Sequence, residues 1–137
     1  MLFMTENVDI QVCDVRHIVH MRFPSRVSAG QLREIIGQLM SGAIPADYNI
    51  LLDFTQTEQA NVPATEILDL AMKRRKMLPA HPLAPVRTAV LGVKTDIEDA
   101  LDAWESFLTE SPPAVIFNRF DSETQALAWL TEGRQAD

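Results

Sequence analysis

The chain has three histidines and one cysteine, which are the first side chains to consider for metal binding or acid–base chemistry. His17 and His20 are three residues apart, a spacing that would suit a pair of metal ligands on a helix. We predict instead that both histidines lie on a strand, where residues i and i+3 face opposite sides. With one cysteine and no companion cluster of ligands, we expect no zinc site and no other cofactor.

Two further side chains are candidates for catalysis, and we predict that neither is catalytic. His81 lies in a proline-rich loop at residues 79–85. Histidine is a suitable general base because its side chain commonly titrates near neutral pH. A lone histidine in a loop is more often solvated than catalytic. Cys13 falls in an early strand, where a small buried apolar group is a better interpretation than a nucleophile. Because no two catalytic side chains can be paired, we expect the protein not to be an enzyme.

The stretch from Asp53 to Glu66 has the strongest features of a binding site. It joins the carboxyl end of an apolar strand to the beginning of a helix, where α/β proteins commonly bind ligands. Backbone amides at a helix N-terminus attract anions, including a partner's carboxylate. A plain connecting loop explains the same residues equally well. The candidate ligand- or partner-binding residues are Asp53, Thr55, Thr57, Thr65, Glu66, Leu68 and Met72.

The strand that must position this stretch is predicted at residues 48–54. Ile50, Leu52 and Phe54 point to one side of the strand and Leu51 points to the other, so both faces require burial. This pattern is typical of a central strand, and we expect Leu52 to be fully buried.

The remaining apolar runs alternate between strand and helix patterns. Residues 7–23 predict two strands, and the short link Asp14-Val15 favours an antiparallel hairpin. Each later strand follows an amphipathic helix, which predicts parallel pairing through crossovers. The predicted fold class is α/β, with a single mixed, mostly parallel sheet of about five strands in the order β-β-α-β-α-β-α-β-α. We expect the first strand to be the antiparallel edge.

Helix starts are predicted from side chains that cap exposed amides and from proline in a first turn, and helix ends are predicted from glycine. The starts are Ser28, Pro63, Thr95 or Asp96, and Ser122, and the ends are Gly42 and Gly133. Trp104 and Trp129 fall on apolar stripes, so we predict that they pack in the core.

The second predicted helix carries more apolar residues than the covering of one sheet face requires. Ile67 and Ala71 form one line along this helix, and Leu68 and Met72 form another. Exposed apolar patches usually mark interfaces or ligand grooves. We therefore predict a homodimer or another protein partner at this helix or, failing that, a groove for a small apolar molecule.

Charged residues near this helix fit the same prediction. The basic residues 73–76 fall in its last turns, where positive charge complements the helix dipole. In a dimer they would meet the acidic residues Asp99, Asp102 and Glu105 of another copy. Without a partner, both groups are interpreted as solvated helix faces.

Length and composition exclude several classes of protein. The chain of 137 residues is expected to form one domain, residues 1–137. Its formal net charge of −7 argues against nucleic acid and anionic membranes as partners, because both reward clustered positive charge. No apolar run is long enough to span a membrane, and the glycine motifs of nucleotide-binding loops are absent. The single cysteine fits a reducing cytoplasm, where we expect the protein.

Three features together point to a known family: the order of the elements, the strands at residues 50–54 and 87–92, and the ending Phe120 through Ala128-Trp129-Leu130. With these features the chain resembles the SpoIIAA-like family over about residues 8–132. This family has a STAS-type fold and is also compared with SEC14-type lipid-binding domains.

The resemblance implies a role in binding or regulation. In STAS anti-sigma factor antagonists, a partner kinase phosphorylates the serine of an Asp-Ser pair that opens a helix. That pair should fall near Asn61-Val62, where no serine is present, and Thr65 is the nearest hydroxyl. The implied protein is a small, bacterial-type, non-catalytic module without the phospho-serine switch. The alternative is a carrier of an apolar small molecule, which an apolar pocket would favour.

Overall fold

The computed structural model describes residues 2–5, 7–78, 85–93, 95–109 and 115–132. Its strands are β1 (Leu2–Thr5), β2 (Val8–Cys13), β3 (Ile18–Arg22), β4 (Arg26–Ser28), β5 (Asn49–Asp53), β6 (Gln59–Asn61), β7 (Val86–Leu91) and β8 (Val115–Phe120). Its helices are α1 (Ala29–Ser41), α2 (Ala64–Lys76), α3 (Thr95–Leu108) and α4 (Glu123–Glu132).

Within the described residues, one sheet holds six strands in the order β1-β2-β3-β5-β7-β8. Strands β1, β2 and β3 pair antiparallel, whereas the pairs β3–β5, β5–β7 and β7–β8 are parallel. The predicted α/β class with a mixed, mostly parallel sheet is therefore confirmed. The predicted hairpin of β2 and β3 is confirmed as well, and β5 lies between β3 and β7 as a central strand should.

The prediction that the first strand of this hairpin forms the sheet edge is wrong. Strand β1 pairs with the outer side of β2, with Phe3 opposite Ile10. Asn7, whose φ is 71°, has the left-handed conformation of a turn residue just before β2. With four residues, β1 is too short for an alternating pattern to identify it as a strand.

A second, smaller sheet consists of β4 and β6, which pair in parallel with Val27 opposite Ala60. The backbone N–H groups of Glu58 and Gln59 both donate to the carbonyl of Ser25, at 2.8 and 3.0 Å. These bonds fix the chain after β5 against the segment that leads into α1. Both strands have three residues, and the sequence pattern predicts neither.

Helices α1, α2 and α3 cover one face of the six-stranded sheet, and α4 covers the other. Strand β5 is accordingly buried on both faces. Ile50 packs against the first group of helices, while Leu51 is completely buried beneath α4. Leu52, which we expected to be fully buried, is only partly buried, because it faces a cavity in the core.

The predicted caps explain where two helices begin. The Ser28 hydroxyl accepts a hydrogen bond from the Gln31 backbone at 3.4 Å, and the Gln31 side chain accepts one from the Ser28 backbone at 2.9 Å. At the start of α4, the Ser122 hydroxyl accepts a hydrogen bond from the Gln125 backbone at 3.4 Å. Gly42 ends α1 with a φ of 85°, as predicted. Pro63 lies just before α2 rather than in its first turn.

Three predictions for individual residues need correction. His17 lies in the turn between β2 and β3, so it does not share a strand with His20. It adopts a φ of 57°, and its ring stacks on Tyr48 with the ring centroids 4.8 Å apart. Cys13 ends β2 and is only partly buried. Thr95 and Asp96 are both helical residues of α3 rather than its cap. His81 and Gly133 lie outside the described residues.

Candidate functional site

A cavity of about 100 Å³ lies between the sheet and helices α1 to α3. A single water needs only about 10–15 Å³ of such space, so this cavity is large for a small domain. Its walls include Met21, Ile50 and Leu52 from the sheet, Leu32 and Ile36 from α1, Leu70 from α2, and Leu101 and Trp104 from α3. Because most of these side chains are apolar and offer water few hydrogen bonds, the cavity favours an apolar occupant.

The β4–β6 pair forms the wall of the cavity at the carboxyl end of the strands. Val27, Ala60 and Val62 line this end, next to the rings of Phe23 and Phe54, which stack with their centroids 4.7 Å apart. The candidate stretch after β5 therefore supplies an apolar wall. Its contribution to the cavity comes from residues that the sequence-based list of candidates omits.

One charged side chain, Arg74, lines the cavity together with these apolar groups. Arg74 is only 2% exposed, although it belongs to the run of basic residues at the end of α2. Nη1 donates a hydrogen bond to the carbonyl of Ala46 at 2.8 Å and lies 3.5 Å from the sulfur of Met77. Nη2 is buried and has no hydrogen-bond partner among the described residues. A buried donor without a partner is uncommon and costly.

Burial also shifts the protonation equilibrium of Arg74. Desolvation lowers the pKa of its guanidinium from the ordinary arginine value to about 10, and the negative charge of Asp47 opposes this shift. The side chain remains protonated at neutral pH. Since Ala46 shortly precedes β5, this positive charge lies toward the amino end of the strands, opposite the β4–β6 pair.

A polar cluster occupies the carboxyl end of β5, outside the cavity. Asp53 is 3% exposed, and its Oδ1 accepts hydrogen bonds from the Thr55 amide at 3.0 Å and hydroxyl at 2.7 Å. Its Oδ2 accepts a hydrogen bond from Arg22 Nε at 3.3 Å. His20 Nε2 lies 3.4 Å from the same oxygen and 3.7 Å from a carboxylate oxygen of Glu123. The cluster thus joins β3, β5 and α4.

The cluster has the donor types of a metal site, but a cation already occupies it. His20, Asp53 and Glu123 offer ligand atoms that lie within 4.8 Å of one another. The Arg22 guanidinium contacts Asp53 and lies 3.8 Å from Glu123. A metal ion would have to displace this charge. We therefore interpret the cluster as a set of ion pairs that links β3, β5 and α4.

Hydrogen bonding controls the pKa of Asp53. Burial alone would raise the pKa of this carboxyl, but hydrogen bonds from Thr55, His20 and Arg22 outweigh burial and hold it below the ordinary value of 3.8. A carboxylate whose pKa is lowered by folding stabilises the fold above its unfolded-state pKa. That stabilisation is lost as the pH falls through the folded-state pKa.

We expect Asp53→Asn to destabilise the protein by about 1.5–3 kcal/mol at neutral pH, because the substitution removes hydrogen bonds to a charged group. The deficit should shrink as the pH falls below the unfolded-state pKa of the carboxyl, because the stabilisation by the Asp53 carboxylate declines there. Urea denaturation at about pH 7 and about pH 3 measures both values. Asp121→Asn is the control, because Asp121 is an exposed aspartate close to the same polar cluster. An equal deficit at both pH values would contradict this account of Asp53.

Comparison with known proteins identifies the fold. No protein-family model matches the sequence, and no curated protein matches it. The structure is similar to the crystal structure of an uncharacterised protein of the DUF3478 family from Shewanella loihica PV-4, described as having a SpoIIAA-like fold. The TM-score is 0.56 over 90% of this chain and 91% of that chain, with 17% sequence identity. This chain has a SpoIIAA-like fold.

The SpoIIAA-like fold predicted from the order of elements and the apolar strands is thereby confirmed. At 17% identity, the similarity concerns the fold alone. The helices give one further fact: in the described part of the chain, none is long and apolar enough to cross a membrane.

The SpoIIAA-like fold separates the seven residues that we selected as candidates. Asp53 and Thr55 bond to each other in the polar cluster. Thr57 is completely buried, and its hydroxyl donates to the carbonyl of Pro24 at 2.8 Å. These three residues support the turn after β5, and the cavity lies beneath that turn.

The other candidate residues lie on α2. Thr65 is exposed in the first turn, and Glu66 forms an ion pair with Arg33 of α1. Leu68 and Met72 are each 46% exposed, which confirms that this helix carries surplus apolar surface. None of these residues lines the cavity.

Sequence reasoning missed Arg74 because it treated the basic residues 73–76 as one exposed face. Arg74 follows Ile67 by seven residues and Leu70 by four, so it continues the buried stripe of α2. Its spacing therefore indicated a position in the core. Arg75 also turns inward, and its Nη1 donates to the carbonyl of Phe107 at 3.1 Å.

Proposed function

We propose that this protein is a non-catalytic binding module that takes up a small apolar molecule in the cavity between the sheet and helices α1 to α3. The cavity itself carries the proposal. Protein interiors are packed as densely as organic crystals, and the side chains around a void lose contacts. At about 24 cal/mol per Å³, a void of about 100 Å³ corresponds to roughly 2 kcal/mol of lost stability. A ligand that fills the void would recover those contacts.

The size and chemistry of the cavity limit the ligand. Apolar cavities of about 150 Å³ stay dry and accept benzene. A cavity of about 100 Å³ suits a small ring or a short aliphatic chain, with adjustment of the surrounding side chains. This proposal takes up the carrier alternative rather than the phospho-regulated module.

The polar groups support binding without catalysis. Among the described residues, the side chains with polar atoms that line the cavity are those of Arg74, Thr88 and Trp104, and the indole of Trp104 is neither a base nor a nucleophile. A threonine hydroxyl without an adjacent base is a weak nucleophile, and a protonated arginine is not a general base. In the cluster outside the cavity, the carboxylate of Asp53 is fully engaged by Thr55, His20 and Arg22.

Titration with toluene tests the proposal, because toluene is a small apolar ring without hydrogen-bonding groups. We expect saturable binding by calorimetry and a rise in Tm. Ala100→Leu, which places extra carbons in the cavity wall, should weaken toluene binding at least tenfold. Ala128→Leu changes an exposed residue of α4, beyond the opposite face of the sheet, and should leave binding unchanged. Absence of saturable toluene binding would refute the proposal.

The outer face of α2 favours a second candidate function, association with another copy of the chain. Leu68 and Met72 lie one helical turn apart and are both 46% exposed. In such a dimer we predicted ion pairs between the basic end of α2 and the acidic residues of α3 in another copy, but two of these acidic residues already have partners. Asp102 and Glu105 each pair with Arg119 of the same chain. The apolar residues would therefore have to supply most of the contact.

We expect light scattering to report a dimer at high micromolar concentration if this face associates. The double variant Leu68→Glu with Met72→Glu should then be a monomer, because it places charge in the apolar contact. Val15→Glu is the control, since Val15 is 94% exposed in the turn between β2 and β3. A monomeric wild-type protein at that concentration would exclude self-association through α2.

A further inference from the structure

The cavity contains a feature that an apolar ligand alone does not explain. A guanidinium has five N–H donors, and Arg74 uses Nη1 for the carbonyl of Ala46. The two N–H groups on Nη2 are buried and have no acceptor among the described residues. Buried polar atoms in folded proteins nearly always have a partner. An unpaired donor in the lining of a cavity therefore points to an acceptor on the ligand.

We propose that the ligand is an amphipathic anion, with a compact apolar body in the cavity and a carboxylate-type group bound by Nη2 of Arg74. This inference rests on the proposed function and specifies its ligand. It assigns Arg74 as a ligand-binding residue, which the sequence-based list of sites did not include.

The position of Arg74 fits a ligand with two chemically different ends. Arg74 belongs to the last turn of α2, and its partner Ala46 precedes β5. The other end of the cavity, formed by Val27, Ala60 and Val62 near the carboxyl end of the strands, is apolar. A ligand oriented along the strands would place its charged group at Arg74 and its apolar body toward the β4–β6 pair.

The charge of Arg74 favours an anion over a neutral acceptor. The guanidinium is protonated at neutral pH, and hydrogen bonds between two charged groups are about twice as strong as neutral ones. A purely apolar ligand would leave Nη2 unpaired inside the filled cavity. A carboxylate supplies the missing acceptor, and its charge adds to that of Asp47 in stabilising the buried guanidinium. We therefore expect selectivity for the anion of at least about tenfold.

Benzoate and toluene form the test pair, because they share a ring and differ in the charged group. Calorimetric titration of the wild-type protein at neutral pH should give benzoate at least about tenfold higher affinity than toluene. Arg74→Met keeps an unbranched side chain without the charge. It should weaken benzoate binding by a similar factor and leave toluene binding equal or stronger.

A measurement on the wild-type protein keeps the test valid if Arg74→Met does not fold. The side-chain N–H signals of Arg74 in ¹⁵N-resolved NMR spectra should shift when benzoate is added and stay unchanged with toluene. Arg74→Lys is the second variant. It keeps the charge but loses the planar fork of donors, so it should reduce the preference for benzoate.

The outcomes distinguish this inference from the proposed function. Binding of toluene with equal or weaker binding of benzoate would overturn the anion inference and leave the apolar carrier intact. Tight benzoate binding that survives Arg74→Met with the Arg74 signals unmoved would also overturn it. Failure of both probes to bind would overturn the proposed function as well.

Discussion

Gly92→Ala should destabilise this protein by about 2–5 kcal/mol, one of the two largest effects that we expect from a single substitution. Gly92 directly follows β7 and has a φ of 76°, where any residue with a Cβ is strained. A Cβ at this position would lie 2.8 Å from both the Cα and the backbone nitrogen of Thr55. Backbone atoms cannot move aside as the end of a flexible side chain can, so the turn after β5 would have to shift.

The displaced turn connects the two sites described above. The Phe54 amide donates to the carbonyl of Leu91 at 2.8 Å, and Thr55 holds the carboxylate of Asp53. Gly92→Ala should therefore disturb the polar cluster in addition to lowering the free energy of unfolding. Chemical shifts of the His20 ring would report this second effect.

Gly37→Ala is the matched control for this prediction. Gly37 lies inside α1 and is exposed, and beyond its chain neighbours and the backbone of its own helix no atom of the described residues would lie within 4 Å of its Cβ. Alanine is favoured over glycine in a helix by about 1 kcal/mol, so this variant should be stabilised. Urea denaturation of both variants gives the comparison. If the two substitutions changed the stability by the same amount, the close contact at Gly92 would not exist in solution.

Leu51→Ala should destabilise the protein by about 2–5 kcal/mol, the range measured for fully buried leucines. Leu51 is completely buried in β5, with Ile18 and Ala89 on the neighbouring strands and Leu130 of α4 in the same cluster. Removing its isobutyl group would leave a new void in a densely packed layer. The free energy of unfolding in urea measures this loss directly.

Leu52→Ala, one residue along the same strand, should cost at least about 1 kcal/mol less than Leu51→Ala. Leu52 is partly buried and borders space that is already empty, so its side chain has fewer contacts to lose. The same substitution should also enlarge the cavity and admit a larger ligand. Equal losses of stability for the two variants would mean that the cavity is filled in solution.

The sequence predicted the sheet well because long apolar runs and helix caps are local signals. Strand β5 had apolar residues on both faces, which required a central position, and Ser28 marked the start of α1. Strands β1, β4 and β6 were missed because three or four residues are too few for a periodic pattern. Their positions depend on backbone pairing with distant segments.

The candidate site was predicted less well, because a cavity is a property of packing among several elements. Asp53 and Thr55 were correctly recognised as polar residues at a strand end, yet they hold each other rather than a ligand. Leu52 appeared to be an ordinary core residue, since no pattern in one strand reveals unfilled space opposite it. Arg74 carried a detectable signal in its spacing, but its charge led to the opposite interpretation.

Hydrostatic pressure should unfold this protein more readily than a fully packed domain of the same size. Empty space inside a fold disappears on unfolding, so the unfolded chain and its water occupy less total volume. The unfilled space between the sheet and helices α1 to α3 would add to that difference. A guest molecule in this space would remove part of the volume change, so the occupied protein should withstand pressures that unfold the empty one.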